Sequence, residues 1–158
     1  MAIIIGSTAS TASSRAPIVV VAQPIDGMDD AGKLLLRLTL GGLMLLHGIG
    51  KLTGGIDFIA AAVAKAGLPA AFGYLVYVGE VVAPLLLILG AWTRAAAIVI
   101  AINMIVAVAM VHMGQIATLT PNGGWALELQ AFYLATALAI ALLGAGRYSA
   151  AGPDARWN

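Results

Sequence analysis

Most of the side chains in this sequence that are able to do chemistry lie inside apolar stretches, where water cannot serve them. Glu80 is the clearest case, standing about nine residues into the apolar stretch 71–92, or roughly 14 Å from its nearer end at helical rise. From there a carboxyl group cannot easily reach water, so burial favours the neutral acid unless a cation lies close. Ionisable groups are costly at such depth and mark functional positions by default. Pro84 follows one turn later and has no N–H, so the carbonyl of Glu80 loses its usual helical donor beside an expected kink. Tyr77 lies about one turn before Glu80, on roughly the same face. Carboxyl, freed carbonyl and phenol at similar depth suit a proton or ligand site, or alternatively a polar lock between helices.

Arg37 sits one turn into the stretch 34–50 and has two readings. Either it snorkels back to the near surface, or it pairs with an inward-facing acid. Glu80 is the best acidic candidate, and together they would form a proton and charge site. Asn103, near the middle of 95–113, lies at a depth similar to Glu80 and is a hydrogen-bond partner for it across helices. A second polar group gathers towards the opposite surface. His47 and Lys51 share one helical face, and His112 and Glu128 fall at similar depth. Two histidines and a carboxylate are weak candidates for a divalent metal. The histidines could instead flank a haem or bond a quinone carbonyl, or the whole group is ordinary interfacial polarity. Asn103 and His112 are separated by about 180° on an ideal helix, so Asn103 is expected inside and His112 at a loop-facing edge. The candidate cofactor-binding residues are therefore His47, Lys51, Tyr77 and Asn103. No phosphate-binding glycine loop, nucleophile elbow or zinc motif occurs.

These side chains need elements to hold them, and composition says that those elements stand in lipid. Of 158 residues, 61% are hydrophobic and only 9% charged, with a mean hydropathy of +1.00. A water-soluble domain of this length needs far more charge to cover its surface. The stretches 34–50, 71–92, 95–113 and 125–145 each approach the ~20 residues that cross ~30 Å of hydrocarbon, and none alternates as a barrel strand would. The expected fold is all-α, a four-transmembrane-helix bundle with a short interfacial helix over 56–66 that Gly67 and Pro69 end. Trp92, Thr93 and Arg94 make a tight turn, and the run TPNGG at 120–124 makes another. Residues 1–32 read as a disordered cytoplasmic tail and a poor signal peptide, 33–150 as the membrane domain and 151–158 as a short cytoplasmic tail.

Basic residues set the expected orientation. Arg15, Lys33, Arg37, Arg94, Arg147 and Arg156 fall on the side of the termini, against Lys51 and Lys65 on the other, which puts both termini in the cytoplasm. Gly41, Gly42 and Gly48, with alanines in the last two stretches, permit close helix packing and also a homo-oligomer. A net charge of +1 makes no electrostatic case for nucleic acid. The absence of cysteine excludes a disulfide, a thiolate metal site or a thiol relay within the chain.

Several spaced motifs resemble the DoxX family. They are RLTLGGLMLLHGIGKL at 37–52, GLP at 67–69, Gly79 with Glu80, LGAWTR at 89–94 and GAGRYS at 144–149. The resemblance covers about residues 33–150. It implies a bacterial inner-membrane protein of four helices, linked to membrane oxidoreductase systems that include a thiosulfate:quinone oxidoreductase subunit and assemblies handling thiol and oxidative stress. The positions that carry it over are Arg37, Gly48, Lys51, Glu80 and Arg94.

The expected function is an integral inner-membrane subunit of a redox or stress-related assembly. It would interact with quinone around Glu80, with a soluble or membrane partner carrying any sulfur chemistry. As a quinone-facing or non-catalytic subunit, it need not be an enzyme by itself. Two other readings stay open. One is a small transporter or permeation subunit with Glu80 and Asn103 lining a polar path. The other is a structural anchor that recruits a soluble enzyme through its cytoplasmic surface.

Overall fold

The computed structural model describes residues 26–158. The expectations for residues 1–25, including the disordered tail, the signal-peptide reading and the place of Arg15, lie outside the described residues. Helix α1 spans Asp26–Gly54, so it begins inside the stretch expected to be tail. The reason is local electrostatics. Asp29 and Asp30 lie in its opening turns, where carboxylates complement the positive end of the helix dipole. Asp29 also accepts from Lys33 one turn on at 2.6 Å, and Asp30 pairs with Arg147 at 2.9 Å. An acidic cluster that looks like solvated tail is here a helix start.

Helix α2, Asp57–Lys65, is short. Gly67 ends it at φ +81, with Leu68 N–H bonded to the Val63 carbonyl and Gly67 N–H to that of Ala64. This is the glycine stop expected from the sequence. The next stretch is helical but not uniform. A 3₁₀ turn at Ala70–Leu75 leads to a π segment at Val78–Val82 and then to α3, Ala83–Leu89, with Pro84 in its first turn. Helix α4, Thr93–Ala107, likewise runs into a π segment at Val108–His112 and a 3₁₀ turn at Met113–Gln115. The TPNGG run forms its turn, with Thr120 N–H on the Gly124 carbonyl at 2.8 Å. Helix α5 is Glu128–Leu143.

Helix α1 packs against α3 and α5, and α4 packs against the same two. The contacts are close because small residues meet at them. Ala96, Ala97, Ala101 and Ala137 are buried among Leu40, Met44, Leu87, Ile100 and Ile140. Gly41 lies against Ile88 and the Pro84 carbonyl, where a side chain would collide. The outward faces carry exposed Leu35, Leu46, Phe132 and Leu142, as lipid contact requires. Three continuous helical segments are long and apolar enough to cross a membrane, namely Gly27–Gly54, Ala70–Leu89 and Thr93–Gln115. With 16 residues, α5 is shorter than the ~20 of an average span.

Candidate ligand-binding cavity

Glu80 is the centre of a polar group set in an apolar wall. It is 5% exposed and sits in the middle of the π segment before Pro84. A π turn accommodates an extra residue, and the Ala83 N–H accordingly reaches back to the Val78 carbonyl. The carboxylate has both oxygens engaged. Oε2 accepts from the Lys51 ammonium in a short ion pair, and Oε1 accepts from Asn103 Nδ2 at 3.3 Å. Two glycines make this possible. Gly48 on α1 rests on the Glu80 carbonyl, and Gly79 rests on the Asn103 amide; a Cβ on either would overlap its neighbour. The carbonyl flagged by Pro84 is thus the surface on which α1 packs.

The partner of Glu80 is Lys51, and helix geometry explains why. Side chains on an α-helix lean towards its N-terminus. Lys51 lies near the C-terminal end of α1, so its chain runs back into the protein. Tyr77 holds the same place from outside, donating its hydroxyl to the Lys51 carbonyl at 3.1 Å. It does not line the cavity, contrary to its expected place beside Glu80.

Lys51, Glu80 and Asn103 face a cavity of about 600 Å³. Its walls are mainly apolar and come from α1, α2, the 3₁₀ and π segments, α4 and α5. His47 also lines it, with Nε2 3.5 Å from the Tyr133 hydroxyl and the two rings edge to face at 5.9 Å. His112 lines it too, against expectation. The π segment Val108–His112 breaks the ideal helical phase that had put Asn103 and His112 on opposite faces, and His112 Nδ1 is tied to the Ala107 carbonyl at 3.0 Å. Glu128 is not in the lining; its carboxylate folds over Gly124. Among the described residues, no three His, Cys, Asp or Glu gather closely enough to hold a metal ion, so the His47, His112 and Glu128 set does not assemble. Gln130 and Tyr133 are cavity residues that sequence reasoning missed. Their signal was a pair of polar side chains three apart in an otherwise apolar helix. The Gln130 amide oxygen is buried with no partner among the described residues.

A family model described as DoxX matches residues 32–113, just over half of the chain. The chain belongs to the DoxX family. No curated protein and no solved structure matches it. The matched region contains the DoxX residues Arg37, Gly48, Lys51, Glu80 and Arg94, while the GAGRYS run lies beyond it. With its apolar helices, this DoxX chain is a small multi-pass integral membrane protein.

Two arginines of the DoxX chain do a different job from the one first expected of Arg37. Arg37 does not meet Glu80. It lies near the start of α1, and the N-terminal lean of its side chain carries it away from the cavity. It is 1% exposed and donates to four carbonyls, those of Leu87 at 2.9 Å, Ile88 at 3.1 Å, Ala145 at 2.6 Å and Tyr148 at 2.9 Å. Gly90, at φ +72, both turns the chain after α3 and leaves room for this guanidinium. Arg94 repeats the device at the end of α5, donating to Ala141 and Leu142 carbonyls at 2.7 and 2.8 Å and to that of Asn158 at 2.9 Å. The last carbonyls of a helix have no partner of their own, and here cations supply one. The segment expected to be a tail packs back on this end, where Asn158 Oδ1 accepts from the Thr93 hydroxyl at 2.8 Å.

Proposed function

We propose that this protein is a membrane-embedded subunit of a redox assembly and that its cavity holds the ring of a membrane quinone. The observation that carries the reading is the Lys51–Glu80–Asn103 group, buried at the wall of an apolar cavity of about 600 Å³. An apolar pocket with a few convergent polar groups is the usual form of a small-molecule site. The ion pair is neutral as a unit, so an anionic ligand would have to separate it. A neutral ligand would not. Lys51, Asn103 and Tyr133 offer hydrogen-bond donors to carbonyl oxygens, and His47 stands one turn, ~6 Å, from Lys51 along α1. Those residues would hold and orient the ring, and a bound quinone would supply two-electron chemistry that the side chains lack.

The topology belongs to the same proposal. The membrane domain is a four-helix bundle with α5 as its fourth span and α2 at the interface, in a bacterial inner membrane with both termini cytoplasmic. Supporting this are the alternating pairing of α1, α3, α4 and α5, the length of α5 at about 24 Å, and the excess of Lys and Arg on the side of the termini. The chain has no cysteine, so any sulfur chemistry falls to a partner. The permeation alternative is less well supported, because Arg37 and Arg94 fill the opposite end with carbonyl contacts.

The test is quinone titration of the purified protein in lipid nanodiscs, comparing the parent with Glu80→Gln. We expect saturable binding to the parent and about tenfold weaker binding to the variant. Equal binding to both, or none to the parent, would sink the reading.

A further inference from the structure

We propose that the isoprenyl tail of the quinone lies along the outer face of α4, from the cavity to a groove at the arginine end; this rests on the quinone reading above. The second groove has a volume of about 640 Å³ and is lined by Trp92, Ala95, Ile98, Val99, Arg156 and Trp157. Val99 also lines the Glu80 cavity, with Ile102 and Val106 beyond it. Trp92, Ala95, Val99, Ile102 and Val106 recur at alternating spacings of three and four, so they form a single stripe on one helix face. Cavity and groove therefore meet at Val99 and make one apolar track. From Asn103 back to Trp92 it is about 17 Å long.

The far end of the track is held in shape at a cost. Trp92 at φ 49 and Trp157 at φ 64 are the non-glycine residues with left-handed backbone among the described residues, and both border this groove. Bulky residues rarely accept that conformation, and it persists only where surroundings impose it. Here the Trp157 carbonyl is fixed by the Arg94 N–H at 2.9 Å and the Trp92 carbonyl by the Ala96 N–H at 2.9 Å. The indoles stay 65% and 55% exposed beside Arg156, a composition suited to the headgroup level of a bilayer. The polarity of the track decides its occupant. A phospholipid with its phosphate at Arg156 would drive its chain ends against Lys51 and Glu80. A quinone puts its ring at that polar wall and its tail on the stripe.

The tail would otherwise lie in lipid, so the stripe gains from packing rather than from the hydrophobic effect, and a modest preference is expected. The experiment titrates the full chain in nanodiscs with two quinones of identical ring, one with a short and one with a long isoprenyl tail, at matched mole fractions in the membrane. We expect the long tail to bind about tenfold more tightly to the parent. Ala95→Phe, which fills the track outside the cavity, should abolish that preference while leaving short-tail binding unchanged. Should Ala95→Phe fail to fold, bromination of the tail tip offers a second measurement. It should quench the fluorescence lost in Trp92→Phe, and no such quenching would overturn the track. Equal binding of both tails to the parent, or an undiminished preference in Ala95→Phe, overturns the tail track and leaves the ring site standing. Retention of a phospholipid that long-tailed quinone does not displace also overturns it. Failure of either quinone to bind overturns the ring site itself.

Discussion

The two ends of this molecule use buried cations for opposite purposes. At the arginine end, Arg37 and Arg94 spend their donors on backbone carbonyls, and the space around them is filled. At the cavity end, Lys51 meets a single carboxylate beside open volume, and the Gln130 amide oxygen is left without a partner among the described residues. Saturated polar groups hold a structure together, whereas groups with spare capacity are what a ligand can use. The contrast teaches that burial of charge does not by itself mark a site. Arg37 is more deeply buried than Glu80, yet its guanidinium acts as a helix cap.

The sharpest way to break this comparison is Arg37→Leu. Removing the guanidinium leaves several buried carbonyls unpaired, at a cost of about 3–5 kcal/mol. We expect poor accumulation in membranes, or a large fall in thermal midpoint in nanodiscs, with Glu80→Gln close to the parent in the same assay. A stable Arg37→Leu protein would remove the distinction between the two ends. Next in size is Lys51→Met, which strands the Glu80 carboxylate and should cost about 2–3 kcal/mol. Adding Glu80→Leu should restore most of the midpoint but not quinone binding. If the double variant is no more stable than the single one, the ion pair is not what Lys51 contributes.

A pair of glycines sharpens the contrast further. Gly90→Ala forces a side chain into a left-handed position against Arg37 and should lower stability by about 1–3 kcal/mol with ligand affinity little changed in the surviving protein. Gly48→Ala pushes α1 off the Glu80 carbonyl, so we expect its main effect in titration, about tenfold weaker binding. A reversal of these two signatures would mean that the ends are mechanically coupled. The smallest effect should come from Arg94→Lys, which keeps the charge and loses the planar fork, at about 1 kcal/mol in thermal midpoint. A drop as large as that of Arg37→Leu would show that a point charge cannot serve there.

Much of this was legible in the sequence. Apolar runs gave the helices, Gly67 and Gly90 their stops, and Pro84 the disturbed backbone beside Glu80. The pairing of Glu80 with Asn103 followed from matched depth. What depth alone missed is the direction in which side chains lean. That lean brings Lys51 inward to Glu80 and takes Arg37 outward to the carbonyls of α3. Similarly, an ideal helical wheel placed Asn103 and His112 on opposite faces, because nothing in the residues 108–112 announces a π turn. Asp29 and Asp30 read as tail until Lys33 and Arg147 supplied their partners. Gln130 and Tyr133 were visible as a polar pair on one face of α5, yet without a known neighbour nothing said that the face looks into a cavity.

The π segments carry a consequence for how the chain tolerates change in length. Each acts like a dislocation in a crystal, an extra residue taken up without disturbing the order on either side. Deleting one residue within Val108–His112 would let α4 close as an ordinary helix and swing everything after it by about 100°. The same deletion within Val78–Val82 would turn α3 relative to the 3₁₀ turn before it, carrying the seat of Gly48 away from α1. Length is therefore a constraint at these two points even where the residue types are only Val, Ala and Met. A family member that is one residue shorter at either point would have to present a differently faced cavity.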